Sequence, residues 1–163
     1  NVGRNNIKSK IGHFFSKNFN SSTYYYKLRT MCNDLSYVDY SGIVNNQYTN
    51  QDYPEYLSRY CTAIAAGTFS PAGKYFEIPA AGCMSFMEVT PKNHAKYLGF
   101  KNNETAIFID EKNYKNKFEE YLNDSDNKRW SEIAKAGREY TLNELNNDKG
   151  VESLIQLMKE FIK

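Results

Sequence analysis

Two runs in this chain are apolar on both faces when laid out as strands: Cys61-Thr62-Ala63-Ile64-Ala65-Ala66 and Met84-Ser85-Phe86-Met87. A strand with one wet face alternates apolar and polar residues, so a run without that alternation suits a strand covered above and below. Around these two, short apolar runs at 11–15, 37–40, 61–66, 83–89 and 105–109 are separated by stretches of helical period at 24–33, 52–60, 74–81 and 91–98. Strand and helix taking turns is the pattern of a parallel sheet with helices on both faces. Past the last strand the chain reads as wholly helical, over 114–122, 127–145 and 151–162. In the final helix Val151, Leu154, Ile155, Met158, Phe161 and Ile162 recur at steps of three and four, an apolar stripe expected to pack on the body. The expected fold is α/β and Rossmann-like, three layers with a five- or six-stranded parallel sheet and a helical C-terminal tail.

With 163 residues there is chain for one domain and its core, residues 1–163, and not for two full-sized ones. A hydrophobic fraction of 40% excludes a disordered or collagen-like chain. No run approaches the roughly 18 apolar residues of a membrane helix, and the first residues hold no signal-peptide core, so a cytoplasmic setting is expected. A net charge of +2 is too small for a dedicated nucleic-acid binder. The first thirty residues are nevertheless basic without a single acid, which fits either a phosphate-bearing ligand or a solvated basic face. Three cysteines without CxxC spacing indicate neither a disulfide framework nor a zinc site. The first residue is Asn, so the chain is expected to be an excised piece of a longer polypeptide.

In such a sheet, ligands bind beyond the carboxyl ends of the strands, where loops enter helix N-termini. The loop after the 61–66 strand, Gly67-Thr68-Phe69-Ser70-Pro71-Ala72-Gly73, is the most informative. Its small residues allow close approach of a ligand to the backbone, and the helix beyond offers N–H groups to an anion. Lys74 in that helix's first turn opposes the helix dipole, a conflict that a bound phosphate removes. Glu77, one turn on, is placed to accept from the vicinal hydroxyls of a ribose. Spacing alone leaves a second reading open, in which Lys74 and Glu77 are an exposed ion pair worth a few tenths of a kcal/mol.

The segment Lys74-Tyr75-Phe76-Glu77-Ile78-Pro79-Ala80-Ala81-Gly82-Cys83 resembles the E-x-x-A-x-G segment in the C-terminal, donor-binding domain of two-domain (GT-B) glycosyltransferases, and in particular the spore-maturation-protein-like (CgeB-type) group. Leu98-Gly99-Phe100, the run Thr105-Ala106-Ile107-Phe108-Ile109-Asp110, and Ile133-Ala134-Lys135-Ala136-Gly137-Arg138-Glu139 are similar to that family in order and spacing, and Tyr26-Lys27-Leu28-Arg29 resembles an upstream Y-x-x-R. The likeness covers roughly residues 24 to 145.

The resemblance implies a nucleoside-diphosphate-sugar donor and transfer of the sugar to an unknown acceptor. Glu77 would take the ribose hydroxyls; Lys74 and the backbone from Gly73 to Tyr75 would hold the diphosphate, with Arg29 among the donor-binding residues. Tyr40, Ser41 and Gly42 would flank the base, while Phe69 and Ser70 would lie by the diphosphate or sugar. No metal or other cofactor is implied, because a basic side chain and a helix N-terminus neutralise the leaving diphosphate. The acceptor-binding N-terminal domain would be a missing partner, and the chain would be the C-terminal half of a two-domain protein. The pattern also departs from the family: no glycine stands in residues 16–23, and Pro79 falls inside the helix after Glu77.

His13 ends the first expected strand, either as a cleft-facing phosphate ligand or as a structural residue. Asp124-Ser125-Asp126 has the shape of a metal-binding D-x-D but falls between helices, where these residues make turns and caps. The alternative to an enzyme is a non-catalytic Rossmann- or flavodoxin-like binding module.

Overall fold

The computed structural model describes residues 26–39, 52–126 and 128–162. Among them lie three strands, β1 (Thr62–Ala65), β2 (Met84–Glu88) and β3 (Ile107–Ile109), and six α-helices: α1 (Lys27–Asn33), α2 (Tyr53–Leu57), α3 (Lys74–Ala80), α4 (Tyr114–Asn123), α5 (Lys128–Glu144) and α6 (Asn147–Phe161). The sheet is parallel, in the order β1-β2-β3. Thr62 stands opposite Met84 and Ala65 opposite Met87; on the other side Phe86 faces Ile107 and Glu88 faces Ile109. The whole of β2 is buried, as its non-alternating sequence requires of a central strand.

Odd and even residues of the strands feed two separate cores. Met84, Phe86, Ile107 and Ile109 pack with Leu28 and Cys32 of α1, Phe118 of α4 and Trp130 and Ile133 of α5. Ala65, Met87 and Ala106 pack on the opposite face with Leu57 of α2 and Tyr75 and Ile78 of α3. The result is helix, sheet, helix: the three layers expected from the sequence. Helix α5 closes the packing against α3 and β2. Gly137 permits that approach, since a Cβ there would stand 2.4 Å from the Thr105 carbonyl oxygen. Helix α3 stops as expected at Gly82, whose φ of +89° is the left-handed C-cap conformation that glycine adopts at little cost.

Three expectations are corrected. Tyr37 to Asp39 form a turn and not the start of a strand, because the chain leaves α1 through successive turns closed by Leu35 N–H to Cys32 O and Val38 N–H to Leu35 O. The helix expected over 91–98 shrinks to a single 3₁₀ turn, Ala95–Leu98. Asn93 takes the backbone N–H groups of Thr90 and Ala95 on its own side-chain oxygen, and His94 adopts a φ of +57°, so no α-helix passes through them. Helix α6 forms as its periodicity predicts, with Asn146 capping Lys149 N–H, but it does not pack on the body: every one of its described residues is exposed, Phe161 to 83%. The expected strand at 11–15, together with Tyr40, lies outside the described residues.

Candidate functional site

Helices α1 and α3 both begin at the carboxyl edge of the sheet. The Lys27 backbone N–H donates to Thr68 Oγ1 in the loop leaving β1, and the Lys27 ammonium pairs with Glu111 beyond β3. That fixes the first turn of α1 against the ends of β1 and β3, and it delivers Arg29 to the same groove as Lys74. The groove, about 340 Å³ in volume, has β1 residues 61–64 as its floor, with Tyr53 and Tyr56 of α2 and Phe118 of α4 in its walls.

Burial and the charge of Arg29 together push Lys74 down to about 8, and Glu77 acts in the opposite sense. Lys74 makes no ion pair within 4 Å among the described residues, nor does Arg29; each lies over a ring, Lys74 Nζ 5.9 Å from the Tyr53 centroid and Arg29 5.7 Å from that of Tyr26. Two cations thus share a half-buried groove at an electrostatic cost. The exposed Lys74–Glu77 ion pair left open by the sequence does not form. The Glu77 carboxylate instead folds back over Gly73, where a Cβ would stand 2.8 Å from Oε1, and Glu77 itself is exposed.

Of the donor-site residues expected from the sequence, the structure brings together Arg29, Lys74, Gly73 and Glu77. Tyr75 is corrected. Its ring is wholly buried, its hydroxyl donates to the Glu88 carbonyl at 2.8 Å, and its backbone N–H is taken by the Ala72 carbonyl at 2.9 Å, so neither group is available to a ligand. Phe69 and Ser70 stand on the loop between β1 and α3, outside the lining of the groove. His13, Tyr40 and Gly42 lie outside the described residues. The Asp124-Ser125-Asp126 segment is the turn expected of it: Asp124 accepts from Asp126 N–H and Trp130 Nε1–H, and Asp126 from Lys128 N–H.

Two functional candidates escaped the sequence. Asn93 is completely buried and its Nδ2 donates to Gly67 O at 3.0 Å, Glu88 O at 2.7 Å and the Tyr75 hydroxyl at 3.2 Å, tying the β1–α3 loop to the end of β2. Glu88 closes β2 with its side chain buried, and burial pushes its carboxyl group up to about 7. An acid inside an apolar strand was the available signal for Glu88; nothing in the sequence marks Asn93. No described helix is long and apolar enough to cross a membrane.

The family model described as glycosyl transferase-like matches residues 13–156 of the 163. The chain belongs to that family. The matched span runs from before α1 into α6 and takes in the whole described sheet and the Arg29–Lys74 groove. Comparisons with curated proteins and with solved structures returned no match. Membership in the glycosyl transferase-like family agrees with the parallel sheet and supports glycosyl transfer in general.

Proposed function

We propose that this domain binds the nucleoside-diphosphate-sugar donor of a GT-B glycosyltransferase, as the C-terminal half of a two-domain enzyme of the CgeB-type group. The observation that carries the reading is the pair of cations, Arg29 and Lys74, that line one groove alongside β1 and make no ion pair among the described residues. A diphosphate placed between them relieves their repulsion and takes up the charge that the groove holds in excess. As the glycosidic bond breaks, the same two cations stabilise the departing diphosphate, so the reading requires no metal ion.

Glu77, exposed one turn beyond Lys74, accepts hydrogen bonds from the ribose hydroxyls on the solvent side of that diphosphate. The acceptor comes from a preceding domain, the sheet extends to the five or six strands of the Rossmann plan, and the donor is drawn from the cytoplasm. Crystals soaked in turn with uridine, guanosine and adenosine diphosphates test the placement. The expected result is density for the β-phosphate between Arg29 and Lys74 with the ribose at Glu77; a nucleotide bound elsewhere on the domain contradicts it.

A further inference from the structure

We propose that the base subsite of this groove is built for guanine: Tyr53 and Tyr56 offer the stacking face, and the Asp39 carboxylate reads the pairing edge. The proposal rests on the diphosphate reading above and names the nucleotide held by Arg29 and Lys74. Tyr53, Tyr56 and Tyr60 recur at steps of three and four, on one side of α2 and of the turn that follows it, and all three line the groove with Arg29, Lys74 and Asp39. The rise of a helix separates Tyr53 from Tyr60 by about 10 Å. At one end of that row Lys74 Nζ lies 5.9 Å from the Tyr53 centroid; at the other the Tyr60 hydroxyl donates to Asp39 Oδ2 at 2.6 Å. Cations, rings and an acid thus follow one another along the groove, as diphosphate, base face and base donors follow one another in a nucleotide.

The Tyr53 and Tyr56 rings are half-buried and nearly parallel, 22° apart with centroids at 6.5 Å, which suits them to stack a base. Selectivity comes from Asp39. A hydroxyl has one proton to give. Tyr60 gives its own to Asp39, so in the 2.7 Å contact between the Tyr56 and Tyr60 hydroxyls Tyr56 is the donor. The relay holds the carboxylate in place and leaves Oδ1 without a hydrogen bond among the described residues, on an exposed side chain that lines the groove. A carboxylate can only accept, through two oxygens side by side. Guanine sets two donors, N1–H and the 2-amino group, next to each other on its pairing edge and can engage both oxygens. Adenine and cytosine place a ring-nitrogen lone pair beside the amine, and uracil flanks its N3–H with two carbonyls. Each of these brings an acceptor against Asp39, with no proton between the two.

Calorimetric titration of guanosine, inosine, adenosine and uridine diphosphates separates this proposal from the reading beneath it. The wild type is expected to bind guanosine diphosphate at least about tenfold more tightly than the adenosine and uridine compounds, and about tenfold more tightly than inosine diphosphate, which lacks only the 2-amino group. Asp39→Asn keeps the size of the side chain but replaces one acceptor by a donor. It is expected to weaken guanosine diphosphate about tenfold and to leave the adenosine and uridine compounds unchanged. Adenosine, uridine or inosine diphosphate bound as tightly as guanosine diphosphate overturns the proposal and leaves the diphosphate reading standing. So does a D39N protein in which guanosine diphosphate is unaffected, or in which every ligand weakens equally. Binding of none of the four overturns both. Should D39N not fold, the comparison of guanosine with inosine diphosphate on the wild type decides by itself.

Discussion

Arg29 on α1 and Lys74 on α3 face a common groove, and the guanidinium charge helps to hold the Lys74 ammonium down to about 8. The charged Lys74 is not there for stability. A lysine whose value is lowered by folding destabilises the native state while it is charged, and stability rises with pH from about 8 up to the unfolded value of about 10.5. Replacing either cation by glutamine is therefore expected to leave the thermal midpoint unchanged or to raise it, and to flatten that rise in alkaline solution. A drop of several degrees in both variants would show that the pair has a structural role after all.

Glu77 is exposed and its side chain makes no hydrogen bond among the described residues, so its loss should not be felt by the fold. Glu77→Ala is expected to weaken nucleoside diphosphates about tenfold, the order of one charge-assisted hydrogen bond, and to leave inorganic pyrophosphate unaffected. Equal losses for both ligands would remove Glu77 from the ribose.

Asn93 bonds through its side chain to five separate groups in the β1–α3 loop, β2, α3 and the turn that follows β2. Asn93→Ala takes the side-chain donor from the buried Gly67 carbonyl and leaves the Glu88 carbonyl with the Tyr75 hydroxyl, and a loss of roughly 2–4 kcal/mol in urea denaturation is expected. A change below about 0.5 kcal/mol, the size usual for surface substitutions, would contradict this assignment.

The exposed apolar stripe of α6, Val151 to Phe161, contributes nothing to the described core. Ending the chain after Leu145 is expected to leave the thermal midpoint within about 2 °C of the parent, no more than the roughly 2–4 °C that 1 kcal/mol produces in a domain of this size. A larger fall would place α6 against the body in solution.

What was legible in the sequence follows from which interactions are local. The buried strands, the Gly82 stop and the helical period of α5 and α6 are written in neighbouring residues, and the structure has them. Periodicity finds the stripe of α6 but carries no information on whether a surface exists for it to cover, and there the reading failed. The 91–98 stretch failed because one buried side chain, Asn93, bonds to the backbone in place of the helix. In the site, Lys74 and Glu77 were legible from a single junction, whereas the convergence of Lys74 with Arg29 depends on α1 being tied to Thr68 across the sheet. Tyr75 was expected to offer its backbone to the diphosphate, and the turn that gives its N–H to the Ala72 carbonyl leaves no mark in the sequence.

The central claim, that Arg29 and Lys74 jointly hold a diphosphate, is tested most directly by calorimetric titration of uridine, guanosine and adenosine diphosphates into the wild type and the R29Q/K74Q double variant at pH 7. The account predicts binding of at least one of them by the wild type and a loss of about a hundredfold or more in the variant, roughly tenfold for each charge-assisted contact removed. No binding of any of the three by the wild type, or equal affinity in the two proteins, would contradict it.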